Sequence, residues 1–361
     1  MSIRNIWKYK NEDDGMIRIG IIGVGKTVSI AHHHVLGYLG DDRCSITAVY
    51  DINKESAQKF VLVHELDAIV TSSFEELLTL VDAVSICTPN AFHYTYGAKA
   101  LEAGKHVLME KPMGIGEEEC RRLALMAKTT KGKCALGLVY RFSDVVQKTK
   151  KIIKENFSSI YTVSGWFGGK RLANPALPFE WRMDVTKSGS GALGDFSSHL
   201  VDIVHYAAGL SIDSISASLE TFIKKRPDGV GTRKVENDDA AAFTAKAGNT
   251  LIQFTVSRVG MDDVFMLISG DGGLIELSIR NGGSLKYWPK GKNGPYTGEE
   301  KNIQVVQQHT LDDWFCLEIP AFLDKIEGKP SPIADFDDGY YTEKVIEAAF
   351  QSSLSGRMEE V

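Results

Sequence analysis

The stretch Ile17-Arg-Ile-Gly-Ile-Ile22-Gly23-Val24-Gly25 decides how the first part of this chain folds. A short apolar run that enters a Gly-x-Gly turn is typical of a buried parallel strand followed by a helix. The first glycine permits the tight turn, and the second lets the backbone approach a pyrophosphate at the helix N-terminus, where free N–H groups attract anions. The stretch therefore predicts a dinucleotide site that includes Gly23, Val24, Gly25, Lys26 and Thr27.

A carboxylate at the end of the second apolar run supports this interpretation. Gly-x-Gly alone also fits a glycine turn without a ligand, since Val28 stands where a third small residue is usual. Asp51 follows the run Ser45–Tyr50, and a carboxylate there accepts hydrogen bonds from both ribose hydroxyls and repels a 2′-phosphate. Asp51 therefore favours NAD over NADP, and its neighbour Ile52 is also expected to contact the cofactor. Helix capping is the alternative role of Asp51, and Lys54 close by also fits some use of NADP.

The apolar pattern changes near residue 138 and divides the chain in two. Before that point, fully apolar runs alternate with amphipathic stretches, which is typical of a doubly wound parallel sheet covered by helices. After it, longer alternating strands, the longest at Ile212–Ile223, are separated by turn signals such as Asn281-Gly-Gly283. We expect an α/β protein with a Rossmann domain over 16–138 and, over 139–361, an α/β domain with a large open, mostly antiparallel sheet.

Composition and charge exclude several classes of protein. The chain has 361 residues, of which 43% are hydrophobic and 24% charged, as in a globular protein of about two domains. Its 41 Lys and Arg against 47 Asp and Glu give a net charge of −6 without a basic stripe for nucleic acid. The sequence has no apolar run of about 18 residues, and its five dispersed cysteines favour neither disulfides nor zinc. We expect a cytoplasmic protein without nucleic-acid or membrane partners and, because the open sheet needs cover, a homodimer or homotetramer.

Polar residues follow two further predicted strands of the first domain. They are Thr88, Pro89, Asn90 and His93 after one strand, and Glu110 and Lys111 after the next. Ligands of open α/β sheets bind outside the carboxyl ends of the strands, so we expect these residues at the cofactor. His93 fits a helix cap equally well. Lys111 can hold a substrate hydroxyl and stabilise negative charge on its oxygen, although a solvated surface charge is the alternative.

A candidate catalytic pair lies in the second half of the chain. Asp195 and His199 are four residues apart on a predicted helix, so they share one face and can form a hydrogen bond. An imidazole with a pKa of about 6.5 can take a proton from an alcohol, and a carboxylate orients it and stabilises its cation. A helix-capping Asp195 and a buried structural His199 fit the same spacing. The run His32-His33-His34 has no Cys or carboxylate at ligand spacing, so we expect no metal site.

These motifs together resemble the Gfo/Idh/MocA oxidoreductases, named after glucose-fructose oxidoreductase, inositol dehydrogenase and a rhizopine catabolism protein. The resemblance covers Met16 to Val361 and rests, in chain order, on the glycine turn, Asp82–Asn90 with His93, Glu110-Lys111-Pro112, Trp181-Arg182 and Gly189–Asp195 through His199. It implies NAD(P)-dependent oxidation or reduction of sugars or cyclitols, and an open sheet that forms dimers or tetramers. It also implies that Lys111, Asp195 and His199 are catalytic and that Trp181 and Arg182 reach the cofactor.

Three functions fit these observations. We expect hydride transfer between nicotinamide and a hydroxyl or keto carbon of a sugar, cyclitol or sugar derivative. The enzymatic alternative is redox-assisted elimination, or conversion of a glycoside or anhydro-sugar, without net NADH. The non-enzymatic alternative is a cofactor-sensing regulator. Besides Lys111, Asp195 and His199, we expect Lys170 and Arg171 in the preceding loop to contact the substrate, although loop solvation also explains their charge.

Overall fold

The computed structural model describes residues 15–25, 30–280, 282–291, 301–303 and 310–361. Its first sheet consists of β1 (Ile17–Ile22), β2 (Cys44–Tyr50), β3 (Ile69–Val70), β4 (Ala83–Ile86), β5 (His106–Met109) and β6 (Cys134–Leu136). All neighbours in this sheet are parallel, in the order β3-β2-β1-β4-β5-β6. The strand order reverses beside β1, which is where ligands bind in open parallel sheets.

Five helices cover the faces of this sheet. They are α1 (Ile30–Leu39), α2 (Lys54–Val63), α3 (Phe74–Leu80), α4 (His93–Glu102) and α5 (Glu117–Thr129). Their starts carry ordinary start signals: the Asn53 side chain accepts a hydrogen bond from the Ser56 N–H at the start of α2, and α5 begins with three glutamates. The predicted strands and helices of this half are therefore confirmed, with ends that differ by one or two residues.

The second half is built around a mixed sheet. Its strands are β7 (Ile160–Gly168), β8 (Ser214–Glu220), β11 (Ala240–Ala247), β12 (Thr250–Ser257), β13 (Val264–Gly270), β14 (Gly273–Ser278), β15 (Ser284–Pro289), β16 (Lys301–Ile303) and β17 (Glu359–Glu360). In the described residues they follow the order β16-β15-β14-β13-β7-β12-β11-β8-β17, and only β7 and β12 pair in parallel. The predicted fold class is confirmed.

One predicted strand of this half is shorter than expected. The run Ile212–Ile223 forms only the short β8, and the chain then enters a separate hairpin of β9 (Lys225–Pro227) and β10 (Thr232–Lys234). The Asp239 carboxylate accepts hydrogen bonds from the N–H groups of Phe222 and Ile223, at 2.8 and 2.7 Å, and this turns the backbone away from the sheet.

Helices lie on one face of the mixed sheet, and within the described residues no helix covers the other face, here called the bare face. The helices of this half are α6 (Asp144–Asn156), α7 (Val185–Ser188), α8 (Ala192–Ile203), α9 (Leu311–Ile326) and α10 (Phe336–Ser355). Of these, α6, α8 and α10 contact the strands. Large apolar side chains point outward from the bare face, among them Leu251, Phe265 and Leu267. No helix in the described ranges is both long and apolar enough to cross a membrane.

The last two long helices return to the first sheet. α9 packs so closely on α1 that a Cβ at Gly37 would lie 2.4 Å from Ile319 Cγ1. α10 packs on α5 and β6, and the Leu136 N–H donates to the Ala334 carbonyl oxygen just before α10, at 3.0 Å. α9 and α10 thus hold the first half of the chain against the second.

Candidate active site

A cavity of about 630 Å³ opens at the carboxyl ends of the first sheet, between the two halves of the chain. Its size lies within the usual range of small-molecule sites. The predicted site residues on its wall are Gly23, Gly25, Asp51, Ile52, Thr88, Pro89, Asn90, Glu110, Lys111, Trp181, Arg182 and Asp195. Lys26 and Thr27 lie outside the described residues.

The glycine turn forms one end of this cavity. Gly23 and Gly25 both have a positive φ, +80° and +68°, which favours glycine. A Cβ at Gly23 would lie 2.6 Å from the Thr88 backbone nitrogen, so the two strand ends can approach only without a side chain there. The Val24 side chain is buried in the core, so it is the backbone of Val24 that belongs to the turn.

Asp51 stands beside the turn. Its Oδ2 accepts a hydrogen bond from the Gly25 N–H at 3.0 Å, and its Oδ1 accepts one from the Asn53 N–H at 2.8 Å. Because Asn53 caps α2, helix capping by Asp51 is not what the structure shows. Ile52 next to it is largely exposed at the cavity mouth.

The residues of this end of the cavity fit a dinucleotide. The bare glycine backbone leaves room for a pyrophosphate, and the Asp51 carboxylate lies where a ribose would be held. The Thr88 hydroxyl oxygen is buried on the wall and has no hydrogen-bond partner among the described residues, as expected for a group that a ligand satisfies.

Lys111 and Asp195 meet across the cavity. Lys111 Nζ, from the loop after β5, donates hydrogen bonds to Asp195 Oδ1 at 2.6 Å and to the Asp195 carbonyl oxygen at 2.9 Å. Burial alone would raise the pKa of the Asp195 carboxyl, but the Lys111 ammonium outweighs it and holds that pKa well below its usual range. Two residues far apart in sequence therefore form one charged pair on the wall.

His199 lies one turn of α8 beyond Asp195 and is 5% exposed. The predicted hydrogen bond between the two is not formed, because Asp195 Oδ1 pairs with Lys111 while His199 Nδ1 is buried without a partner in the described structure. The imidazole packs instead against the rings of Tyr140 and Phe167, at 4.6 and 5.7 Å between centroids. Burial, and then the Lys111 ammonium, lower the pKa of His199 well below 6.5. The ring is therefore neutral and able to accept a proton.

A buried carboxylate holds the start of α8 in place. Asp238 accepts hydrogen bonds from the Gly191 and Leu193 N–H groups, both at 2.7 Å. A Cβ at Gly191 would lie 1.8 Å from the Asp238 carbonyl oxygen, so glycine is needed there. Asp238 was not singled out from the sequence, although the acidic run Asn237-Asp238-Asp239 directly before an apolar strand is a signal that could have found it.

Five described residues predicted at the site do not line the cavity: Val24, His93, Lys170, Arg171 and His199. The His93 ring is fully buried, with its nitrogens 2.7 Å from the carbonyl oxygens of Thr88 and Pro112. It ties two loops together, and this corrects the prediction that it contacts the cofactor. Lys170 and Arg171 do not line the cavity, and Arg171 forms an ion pair with Glu180, which does.

Other residues complete the far end of the site. Trp181 and Arg182 lie on the wall, with the guanidinium 4.5 Å from the indole ring. Arg280 donates two hydrogen bonds to the Tyr140 hydroxyl, at 3.0 and 2.8 Å, beside His199. Sequence reasoning missed Tyr140 and Arg280, since neither stands in a motif with the catalytic pair.

A dinucleotide crevice with a lysine and a carboxylate on its wall, and a neutral histidine one helical turn behind them, defines a nucleotide-dependent oxidoreductase. Residues 17–138 match the family model described as the oxidoreductase family, NAD-binding Rossmann fold, and residues 146–276 match that of the GFO/IDH/MocA C-terminal domain. The chain belongs to the Gfo/Idh/MocA family of oxidoreductases. The resemblance found in the sequence is thereby confirmed.

Curated relatives and solved structures extend over nearly the whole chain. It is 28% identical over 355 residues to glucose-6-phosphate 3-dehydrogenase of Bacillus subtilis (strain 168), covering 95% of this chain and 98% of that one. It is 26% identical over 362 residues to D-glucoside 3-dehydrogenase of Escherichia coli (strain K12), covering 96% and 97%. An oxidoreductase domain protein from Kribbella flavida shares the fold with a TM-score of 0.84 at 25% identity, covering 96% and 99%.

Proposed function

We propose that this chain is a dehydrogenase that oxidises a secondary hydroxyl of a hexose or glycoside, with NAD as the hydride acceptor. The observation that carries the proposal is the charged pair of Lys111 and Asp195 across the cavity, with a neutral His199 one helical turn away. The names of the two curated relatives, both sugar 3-dehydrogenases, support position 3 of the ring as the reacting carbon.

Each of the three side chains has a separate role in this proposal. His199 takes the hydroxyl proton, since burial and the Lys111 ammonium keep its imidazole neutral and it lies one helical turn from Asp195 on the cavity wall. Lys111 donates a hydrogen bond to the same oxygen and stabilises the negative charge that develops there. Asp195 holds the Lys111 ammonium at 2.6 Å and so positions it. When bound, nicotinamide supplies the hydride-accepting carbon.

NAD is favoured over NADP by the charge beside the glycine turn. The Asp51 carboxylate accepts a hydrogen bond from the Gly25 N–H, so it stays in the turn and would repel a 2′-phosphate. An Asp51→Ser variant should gain NADP-dependent activity relative to NAD-dependent activity. An unchanged ratio of the two kcat/KM values would overturn this choice of cofactor.

We also propose an oligomeric state and a cellular compartment for this chain. The bare apolar face of the mixed sheet supports a homodimer or homotetramer, because such patches on one subunit usually mark an interface. The net charge of −6 supports the absence of a nucleic-acid partner. Free thiols at Cys44, Cys87, Cys120, Cys134 and Cys316 support a reducing compartment such as the cytoplasm.

The main experiment is a substrate screen with the His199→Ala variant as its test. Glucose 6-phosphate, methyl glucosides, anhydro-sugars and inositols are offered with NAD, and NADH is followed by its absorbance. We expect the variant to lose about 10²–10⁴-fold in kcat while it still binds NAD. Ser197→Ala on the same helix is the matched control and should keep normal turnover.

Two results would overturn the proposal. Wild-type turnover in His199→Ala would remove the histidine from the mechanism. Product formation without any accumulation of NADH would replace the dehydrogenase by an elimination in which the cofactor is regenerated within each cycle.

A further inference from the structure

A second cluster of ionisable side chains lies behind the wall of the crevice. His34 on α1, Glu110 at the end of β5 and Glu318 on α9 each present one ligand atom, and these atoms all lie within 4.8 Å of one another. His34 and Glu318 are 0% exposed, and Glu110 is 7% exposed. His34 Nε2 lies 2.9 Å from Glu110 Oε1. Glu110 also belongs to the predicted cofactor site, whereas His34 and Glu318 do not line the cavity and have no role proposed above.

The Glu318 carboxyl group is buried without a compensating partner in the described residues. Neither of its carboxylate oxygens has a hydrogen-bond partner in the part of the chain that the structure describes. Among the same residues, neither Glu318 nor Glu110 forms an ion pair with a lysine or arginine. A buried carboxylate without donors or a counter-charge is strongly unfavourable, so either a proton or a bound cation must neutralise it.

The surroundings orient His34 in the way that metal-binding histidines are oriented. Its Nδ1 lies 3.2 Å from Ser85 Oγ, which lies 2.7 Å from the Tyr38 hydroxyl. An Nδ1–H that donates to Ser85 leaves the lone pair of Nε2 directed at the two carboxylates. Glu110 is fixed as well, because a Cβ at Gly137 would lie 2.8 Å from its Oε1.

We propose that His34, Glu110 and Glu318 bind one divalent transition-metal cation, such as Zn²⁺ or Mn²⁺. Ligands about 2.0–2.2 Å from a metal lie at most about 4.4 Å apart, so the 4.8 Å cluster needs only a small closure. One imidazole and two carboxylates suit these borderline cations, and a charge of +2 cancels the two carboxylates. Glu110 also lines the cavity, which provides a route of entry.

The site would be a structural one. It would join α1, β5 and α9, three elements from the beginning and the end of the chain. It would also fix Glu110, whose neighbour Lys111 holds Asp195. No spacing in the sequence could reveal it, because the two carboxylates that face His34 come from distant elements.

The test measures metal uptake by the untagged full-length chain. After dialysis against a chelator and then metal-free buffer, the protein is titrated with ZnCl₂ or MnCl₂ by calorimetry, and its metal content is measured by mass spectrometry. We expect one equivalent per chain and a higher Tm with metal. Glu318→Gln, which keeps the shape and removes the charge, should weaken binding at least about tenfold.

Two control variants separate this site from other carboxylates and histidines. His64→Gln removes the surface pair of His64 and His32, whose ring nitrogens lie 3.1 Å apart, and should leave metal uptake unchanged. Glu327→Gln, at the exposed end of α9, should also leave it unchanged. His34→Gln is a second site variant in case Glu318→Gln does not fold.

Two outcomes would overturn the proposal. The first is that wild-type protein binds neither metal more tightly than about 100 µM, which would mean that a proton neutralises the cluster. The second is that metal uptake survives in Glu318→Gln and His34→Gln but is lost in His64→Gln. Both are measured on metal content, so they do not depend on whether the chain oxidises a sugar.

Discussion

The protonation state of His199 sets the pH range in which the proposed reaction can run. Burial, and then Lys111, lower its pKa well below 6.5, so the neutral form that accepts a proton persists below that pH. We expect kcat/KM for alcohol oxidation to stay level as the pH falls to about 6.5 and to decline only at lower pH. A pH–rate profile of the wild-type chain measures this.

A Lys111→Met variant sharpens the same prediction. Because the ammonium lowers the pKa of His199, its removal should move the acid limb of the residual activity to higher pH. An acid limb at or above pH 6.5 in the wild-type chain, or one that does not move in the variant, would contradict the assigned interaction.

At Gly23 a single methyl group should abolish cofactor binding. Gly23→Ala combines a positive φ with a Cβ 2.6 Å from the Thr88 backbone nitrogen, so the turn must open. Gly104→Ala is the matched control, since Gly104 also has a positive φ but open space around it. We expect NAD titration by fluorescence to show no saturation for Gly23→Ala and normal affinity for Gly104→Ala. Equal affinities in the two variants would contradict the close approach.

Motif spacing could predict which side chains matter at the site, but not how they pair. Lys111 and Asp195 were each found by their place at a strand end or on a helix, whereas their contact spans 84 residues of sequence. The same applies to His93, because only the folded chain shows that both its ring nitrogens face backbone carbonyl oxygens. A sequence motif predicts the local structure around it. Which side chains contact each other across the site depends on how the two halves of the chain pack together.

Among the elements, α8 is tied to its neighbours by a buried ion pair. Arg141 donates hydrogen bonds from Nε and Nη2 to the Asp202 carboxylate on α8, at 3.0 and 2.6 Å, and Arg141 also contacts Asp338 on α10 at 3.0 Å. The side chains of Arg141 and Asp202 are 5% and 2% exposed, so neither can be hydrated if the pair is broken. This pair fixes the helix that carries Asp195 and His199.

Removing one member of this pair should destabilise the chain. We expect Asp202→Ala to lower the free energy of unfolding by about 3–5 kcal/mol, measured by urea titration followed by circular dichroism. Glu220→Ala, which breaks an exposed pair with Lys224, is the control and should leave the free energy of unfolding nearly unchanged. A loss below about 1 kcal/mol in Asp202→Ala would show that the pair contributes little.

Strands with strong apolar alternation could be predicted from the sequence, and short polar ones could not. β11 to β13 alternate buried and exposed residues along their length, whereas β9 and β10 are three-residue strands that are mostly exposed. The end of β8 depends on the Asp239 carboxylate, which captures two backbone N–H groups from a distance. The hydrophobic periodicity of the sequence cannot predict these hydrogen bonds between distant residues.

At the scale of the whole molecule, the bare sheet face predicts assembly. Leu267 on β13 is 41% exposed among other outward apolar side chains. We expect Leu267→Lys to shift the chain toward the monomer in light scattering after size exclusion, because a charge cannot be buried between two such faces. Val230→Lys, at a position that is 99% exposed in the β9–β10 turn, should leave the assembly intact. A monomeric wild-type chain would contradict the prediction.

We predict a division of the chain into two domains at residue 138, but helices from beyond that point also pack on the first domain. The sequence pattern changes at that point, and the two family matches fall on either side of it. Yet α9 and α10, which belong to the second half by sequence, cover α1, α5 and β6 of the first. The hydrophobic pattern of the sequence predicts where the parallel sheet ends, but it does not predict which helices pack on that sheet.

The return of α9 and α10 has a consequence for how the protein is made. The ribosome synthesises the nucleotide-binding half before α9 and α10, the two helices that cover its flank. While β7 to β15 are being synthesised, the apolar flank of α1 and β6 is therefore uncovered, and nascent chains stalled in that interval should attract chaperones.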